Sequence, residues 1–148
     1  MKYVHTNIVA RGWKKLTQFY IDVFDCVPVP PERDLSGEWL DIGTGLKEVH
    51  LQGMHLRLPG CGDEGPTLEI YSYAKSEERQ GEILANRIGF GHIAFRVENV
   101  YEVYEKAIKC GGQKLGEISS HKVEGVGILT FVYLTDPEGN IIEIQKWN

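Results

Sequence analysis

No stretch of the chain is apolar for anything near the ~18 residues that a membrane-crossing helix needs, so a bilayer is not an expected partner. Cysteine is scarce. There are three in 148 residues, an odd number with no C-x-x-C spacing, which sets aside a disulfide scaffold and the short thiolate metal motifs. An excess of positive charge is also missing: Lys and Arg total 16 against 21 Asp and Glu, for a net charge of −5. No basic cluster tracks one face, so a nucleic-acid backbone is not an expected partner either. The opening MKYVHTNIVARGWKK lacks the long apolar core of a secretory leader, and with unpaired thiols this gives the expectation of a cytoplasmic, reducing setting. No segment is low in complexity.

What is present reads as one ordinary domain, with 42% apolar and 25% charged residues. A chain of this length buries about 68–70% of the surface it exposes when unfolded, enough for a core without metal or disulfide staples. Any metal is therefore expected to be functional.

The order of elements repeats. KYVHTNIVA is followed by WKKLTQFYIDVFDC and then by strand-like EWLDI, KEVHLQGMHLRL and TLEIYSY; FGHIAFRV is followed by VYEVYEKAIKCGG and then by KLGEISSHKV, GILTFVYL and NIIEIQKW. Leu16, Phe19, Tyr20 and Val23 fall at helical spacing, as do Val100, Val103, Tyr104, Ala107 and Ile108. Asn99 is suited to cap the second helix and Gly111-Gly112 to end it, while the first stops near Asp25-Cys26, before Pro28. The charged segment 74–88 reads as a linker within one domain of residues 1–148, with a first module over 1–73 and a second over 89–148. LPGCGDEGP (58–66) and TDPEGN (135–140) are turn-rich.

Strand alternation places chemistry. His5, Asn7 and Val9 share a face opposite Thr6 and Ile8; Glu69, Tyr71 and Tyr73 lie opposite Leu68 and Ile70; His92, Ala94 and Arg96 lie opposite Ile93 and Phe95; Glu143 and Gln145 lie opposite Ile142 and Ile144. Taken singly, a strand His or Glu is ordinarily structural. One His in the first strand and one Glu in the last strand of both modules is a different matter. If the modules sit side by side about a pseudo-twofold axis, His5, Glu69, His92 and Glu143 converge, a donor set suited to a borderline divalent ion with open positions. Arg96 would then face the same space, where it could clamp an anionic oxygen, with Asn7, Tyr71 and Tyr73 beside it. His50 and His55 stand five apart and point to opposite faces, and His121 sits in a loop-like segment; none of the three is counted among the metal ligands.

GFGHIAFRVENV with LTDPEGNIIEIQKW resembles the second half of the vicinal oxygen chelate superfamily, which includes glyoxalase, methylmalonyl-CoA epimerase, extradiol dioxygenases and fosfomycin or bleomycin resistance proteins; HTNIVARGWKKLTQFYIDVFD resembles its first half. The resemblance covers nearly the whole chain. It implies an α+β fold of two tandem βαβββ modules, a U-shaped half-open mixed sheet around a metal held by His5, Glu69, His92 and Glu143. Glu69 is the discriminating residue, since glyoxalases carry Glu there and acyl-CoA epimerases Gln. The resemblance thus implies a lyase or isomerase (epimerase) that moves a proton next to a carbonyl through a metal-bound enediolate, with Glu143 and Glu69 as proton carriers. It further implies one divalent metal per site (Ni, Co, Zn, Mn or Fe), a small-molecule carbonyl substrate and a homodimer. The Arg and Asn of glutathione-dependent members are replaced here by Val9 and Tyr73, which argues against glutathione. The alternatives are an Fe(II) extradiol-type dioxygenase and a metal-free antibiotic-binding module.

Overall fold

The computed structural model describes all 148 residues, Met1–Asn148, in two compact units, Met1–Arg79 and Gln80–Asn148. In the first, β1 (His5–Val9) leads into α1 (Trp13–Phe24), β2 (Val27–Ser36), α2 (Glu38–Thr44), β3 (His50–Arg57) and β4 (Thr67–Tyr73). Its mixed sheet has the order β1-β4-β3-β2, with β1 parallel to β4 and the other neighbours antiparallel. The apolar stripe of α1 (Leu16, Phe19, Tyr20 and Val23) is buried, the helix packs against β3 and β4, and Leu56, Leu68 and Ile70 are fully buried with it. Each such side chain contributes about 1.5–3 kcal/mol by leaving water. Ser72 accepts the otherwise orphaned N–H of Trp13 at 3.0 Å, tying the start of α1 to the end of β4. Asp25 ends the helix in the left-handed region at φ 54°, its N–H on the Ile21 carbonyl.

The second unit runs β5 (Ile93–Arg96), α3 (Val100–Lys109), β6 (Gln113–Lys114), β7 (Ser119–Val123), β8 (Gly127–Thr135) and β9 (Ile141–Trp147). Its five-stranded sheet has the order β5-β9-β8-β6, with β7 also paired to β8, and β5 lies parallel to β9. Asn99 caps α3 by accepting the Glu102 N–H at 3.3 Å, and Gly111 follows at φ 99° with the Gly112 N–H on the Ala107 carbonyl. In the turn before β9 the fully buried Asp136 carboxylate accepts the backbone N–H groups of Glu138 and Asn140 and the Asn140 side-chain amide, at 2.8–2.9 Å. This network sets where β9 starts, and so where Glu143 stands.

Three local expectations change. EWLDI is the body of α2, not a strand: the Asp41 carboxylate accepts the Glu48 and Val49 N–H groups at 2.9 and 2.8 Å, and the Gly45 N–H returns to the Asp41 carbonyl. The strand that stood in its place is VPVPPERDLS, whose prolines are tolerated because β2 is an edge, with a register shift between Val29 and Arg33. KLGEISSHKV divides into β6 and β7, which puts His121 in a strand, paired with Leu129. No helix is long and apolar enough to cross a membrane.

Burial makes the three thiols unequal. Cys26 is 2% exposed and its pKa is pushed up to about 12, by burial first and by the charge of Asp25 second, whereas Cys61 is exposed. With iodoacetamide at pH 8, Cys61 is expected to alkylate in the native protein and Cys26 only after denaturation. Peptide mass mapping that found Cys26 modified as fast as Cys61 would contradict this packing.

Candidate functional site

The register of each sheet decides which side chains meet. On β4, Leu68 and Ile70 face the helix while Glu69 and Tyr71 face the other way, and Glu69 stands opposite Asn7 of β1 and His55 of β3. His5, two residues before Asn7, brings Nδ1 to 3.2 Å from Glu69 Oε1, and His55 brings Nε2 to 3.0 Å from the same oxygen. His55 Nε2 also lies 2.7 Å from the Tyr71 hydroxyl. The Tyr71 ring leans across Gly53, where a Cβ would sit 2.2 Å from ring carbon Cδ1. Burial holds the His55 pKa below its ordinary value, against the opposing pull of the Glu69 charge; burial and then Glu69 raise that of Tyr71.

The second unit repeats the arrangement at the same register. Glu143, like Glu69, is the third residue of its strand, and it faces Ala94, which is two residues after His92 as Asn7 is two after His5. His92 Nε2 stands 3.0 Å from Glu143 Oε2. Where the first unit has His55 across from its Glu, the second has Tyr133, whose ring lies 4.9 Å from that of His92 between centroids. Burial, then Glu143, raises the Tyr133 pKa. Glu69 and Glu143 side chains are 11% and 13% exposed, largely buried acids each held by imidazole.

Of the residues expected at a site, the structure thus brings together His5, Glu69 and Tyr71 in one unit and His92 and Glu143 in the other. Tyr73 packs with Leu35 at an apolar cluster of Leu40, Val49, Leu51 and Tyr71, so part of its ring is wall. Arg96 is exposed and pairs in register with Gln145, whose side chain accepts the Trp147 indole N–H at 2.8 Å. His50 does point away from His55, to Asp34 at 2.6 Å. The residue that sequence spacing passed over is His55: its position relative to His50 was legible, but its place across from Glu69 follows only from the pairing of β3 with β4.

Two ligands about 2.1 Å from one ion, at right or tetrahedral angles, stand about 3.0–3.4 Å apart. The His–Glu separations of 3.2, 3.0 and 3.0 Å fall in that range, and imidazole with carboxylate is the right donor chemistry for a divalent ion. In the first unit, however, both ring nitrogens converge on the carboxylate oxygen itself. No group of three or more His, Cys, Asp or Glu side chains is arranged around a point that would enclose an ion. The donors fit a metal in kind and spacing as pairs.

A family model described as the Glyoxalase/Bleomycin resistance protein/Dioxygenase superfamily matches residues 2–144. Among solved structures, a glyoxalase family protein from Bacillus cereus is similar over 99% of this chain and 93% of its own, with a TM-score of 0.79 and 19% identity. A glyoxalase/bleomycin resistance protein/dioxygenase family enzyme from Burkholderia phytofirmans PsJN is similar over 100% of both chains, with a TM-score of 0.62 and 16% identity. A mutant glyoxalase I from Zea mays is similar over 97% of this chain but 44% of its own, with a TM-score of 0.63 and 19% identity. No curated protein matches the chain. Likeness at such identities is likeness of fold.

Proposed function

Because the chain belongs to the Glyoxalase/Bleomycin resistance protein/Dioxygenase superfamily, we propose that it is a divalent-metal-dependent lyase or isomerase that moves a proton on carbon next to a carbonyl. The observation that carries this reading is the repetition of one His–Glu pair, at one strand register, in both units. His5 with Glu69 in the first unit, and His92 with Glu143 in the second, are the residues that would hold metal. A divalent cation supplies Lewis acidity, drawing negative charge onto a carbonyl oxygen of the substrate. Glu143 and Glu69 take up and return the proton, their carboxylates held in place by His92 on one hand and by His5 and His55 on the other. Asn7, Tyr71, Tyr73 and Arg96 contact substrate, Tyr71 with its hydroxyl also 2.7 Å from His55 Nε2. A small carbonyl compound is the substrate in this reading, a homodimer the working form and the cytoplasm its setting.

Elemental analysis of the native protein tests the proposal. It is expected to find about one divalent ion per chain, and His5→Ala and His92→Ala are each expected to lower affinity for it by more than ten-fold, the loss that even supporting residues around metals show. Proton exchange in D2O, followed by NMR on 2-oxo and 2-hydroxy carbonyl compounds, gives the chemical readout. Metal content unchanged in both His variants, or metal-loaded protein that exchanges no proton on any such compound, would overturn it.

A further inference from the structure

We propose that Arg33 is a substrate-binding residue and that the carbonyl compound this protein takes is a small one carrying a carboxylate. The inference rests on the enzymatic reading above and deepens it. After the register shift in β2, Arg33 pairs with Gly53, and Gly53 pairs with Tyr71. Cross-strand partners share a face, so Arg33 belongs to the same face as Tyr71, one row along from His55 and Glu69. Its charge is felt at both His55 and Tyr71.

Arg33 is half-buried, and no acid neutralises it. Its guanidinium donates through Nη1 to the Pro31 carbonyl, which leaves donors for another acceptor. The adjacent Asp34 is on the opposite face and is committed to His50 and Gln52 at 2.6 and 2.8 Å. Glu32, on its other side, is exposed. A cation on a sheet face, beside a carboxylate–imidazole pair and without an ion-pair partner, is suited to a planar anion, which the fork of its N–H groups grips at two oxygens.

The next row fixes the direction. Leu35 and Leu51 are paired there, Tyr73 is across from Leu51, and Leu40 of α2 closes over them. That end of the face is filled by the protein's own apolar side chains, so a compound whose carboxylate sits on Arg33 extends the other way, with its carbonyl toward His55 and Glu69.

Calorimetric titration of the protein as purified with 2-oxobutanoate and with its methyl ester tests the assignment apart from catalysis. The acid is expected to bind at least ten-fold more tightly than the ester, Arg33→Gln to abolish that preference and Arg33→Lys to retain part of it, with metal content of the variants as in the parent. Equal binding of acid and ester by the parent, or a preference that survives in Arg33→Gln, would overturn the inference. An Arg33-dependent preference in a protein that binds no metal would support this anion site while refuting the enzymatic reading.

Discussion

Glu143→Gln is expected to lower kcat/KM for proton exchange by about 10³-fold, within the range of about 10²–10⁴ that a positioned general base contributes. The substitution is close to isosteric, and its amide oxygen still offers a lone pair to a cation or to the His92 ring, now 3.0 Å from the carboxylate. What it removes is the ability to accept a proton. Assayed at saturating divalent ion, which offsets the weaker ligation by a neutral amide, the variant should keep a melting temperature near the parent's while turnover collapses, and that separation makes the experiment informative. Steady-state rates beside elemental analysis will decide: an active Glu143→Gln protein with its metal in place excludes Glu143 as the base. Glu69→Gln is the natural companion. Its carboxylate is already engaged by His5 and His55, so the two single variants together show which acid carries the proton.

Gly53→Ala is expected to destabilise the first unit by about 3 kcal/mol, at the upper end of the usual cost of overpacking. A Cβ at this position would lie 2.1 Å from the Ile70 carbonyl oxygen and 2.2 Å from Cδ1 of Tyr71, distances that real carbons do not adopt. The carbonyl is part of the β3–β4 ladder and cannot withdraw without breaking strand pairing. The Tyr71 ring can move only by leaving the cluster it forms with Leu40, Val49 and Leu51 and by giving up its contact with His55. Both routes disturb Glu69, so the same substitution should also impair turnover. Urea unfolding measures the effect directly; a midpoint within experimental error of the parent's would show that this close approach does not exist.

Much of the site was legible from one-dimensional pattern. Alternation in KYVHTNIVA and TLEIYSY puts His5 and Glu69 on the polar face of their strands, because a strand's period of two is a property of the backbone and requires no tertiary information. The same holds for His92 and Glu143, and Asn99 and Gly111 mark the ends of α3 for equally local reasons. His55 and Arg33 were not legible in this way. Their relevance lies in which residue they face across a ladder, and β2 changes register between Val29 and Arg33, a shift that no spacing announces. EWLDI passes for a strand only by its Trp, Leu and Ile content, since Trp39 and Leu40 are adjacent and the segment does not alternate. It is a helix because Asp41 binds two amides of the following loop and Leu40 finds a cluster to join, both long-range facts for a seven-residue segment.

The sequence by itself determined the repeated order of elements, the apolar faces of α1 and α3, and the positions of imidazole and carboxylate, three on strands and His92 just before β5. These follow from helix and strand periodicities, which each residue obeys whatever it later packs against. Only the tertiary structure decided that His5 and His55 share one oxygen of Glu69, that Tyr71 lies across Gly53, and that α2 closes one end of the first sheet's polar face. Those outcomes depend on pairing between strands distant in the chain. Pairing is chosen by the whole core at once, through the burial of Leu56, Leu68 and Ile70 beneath α1.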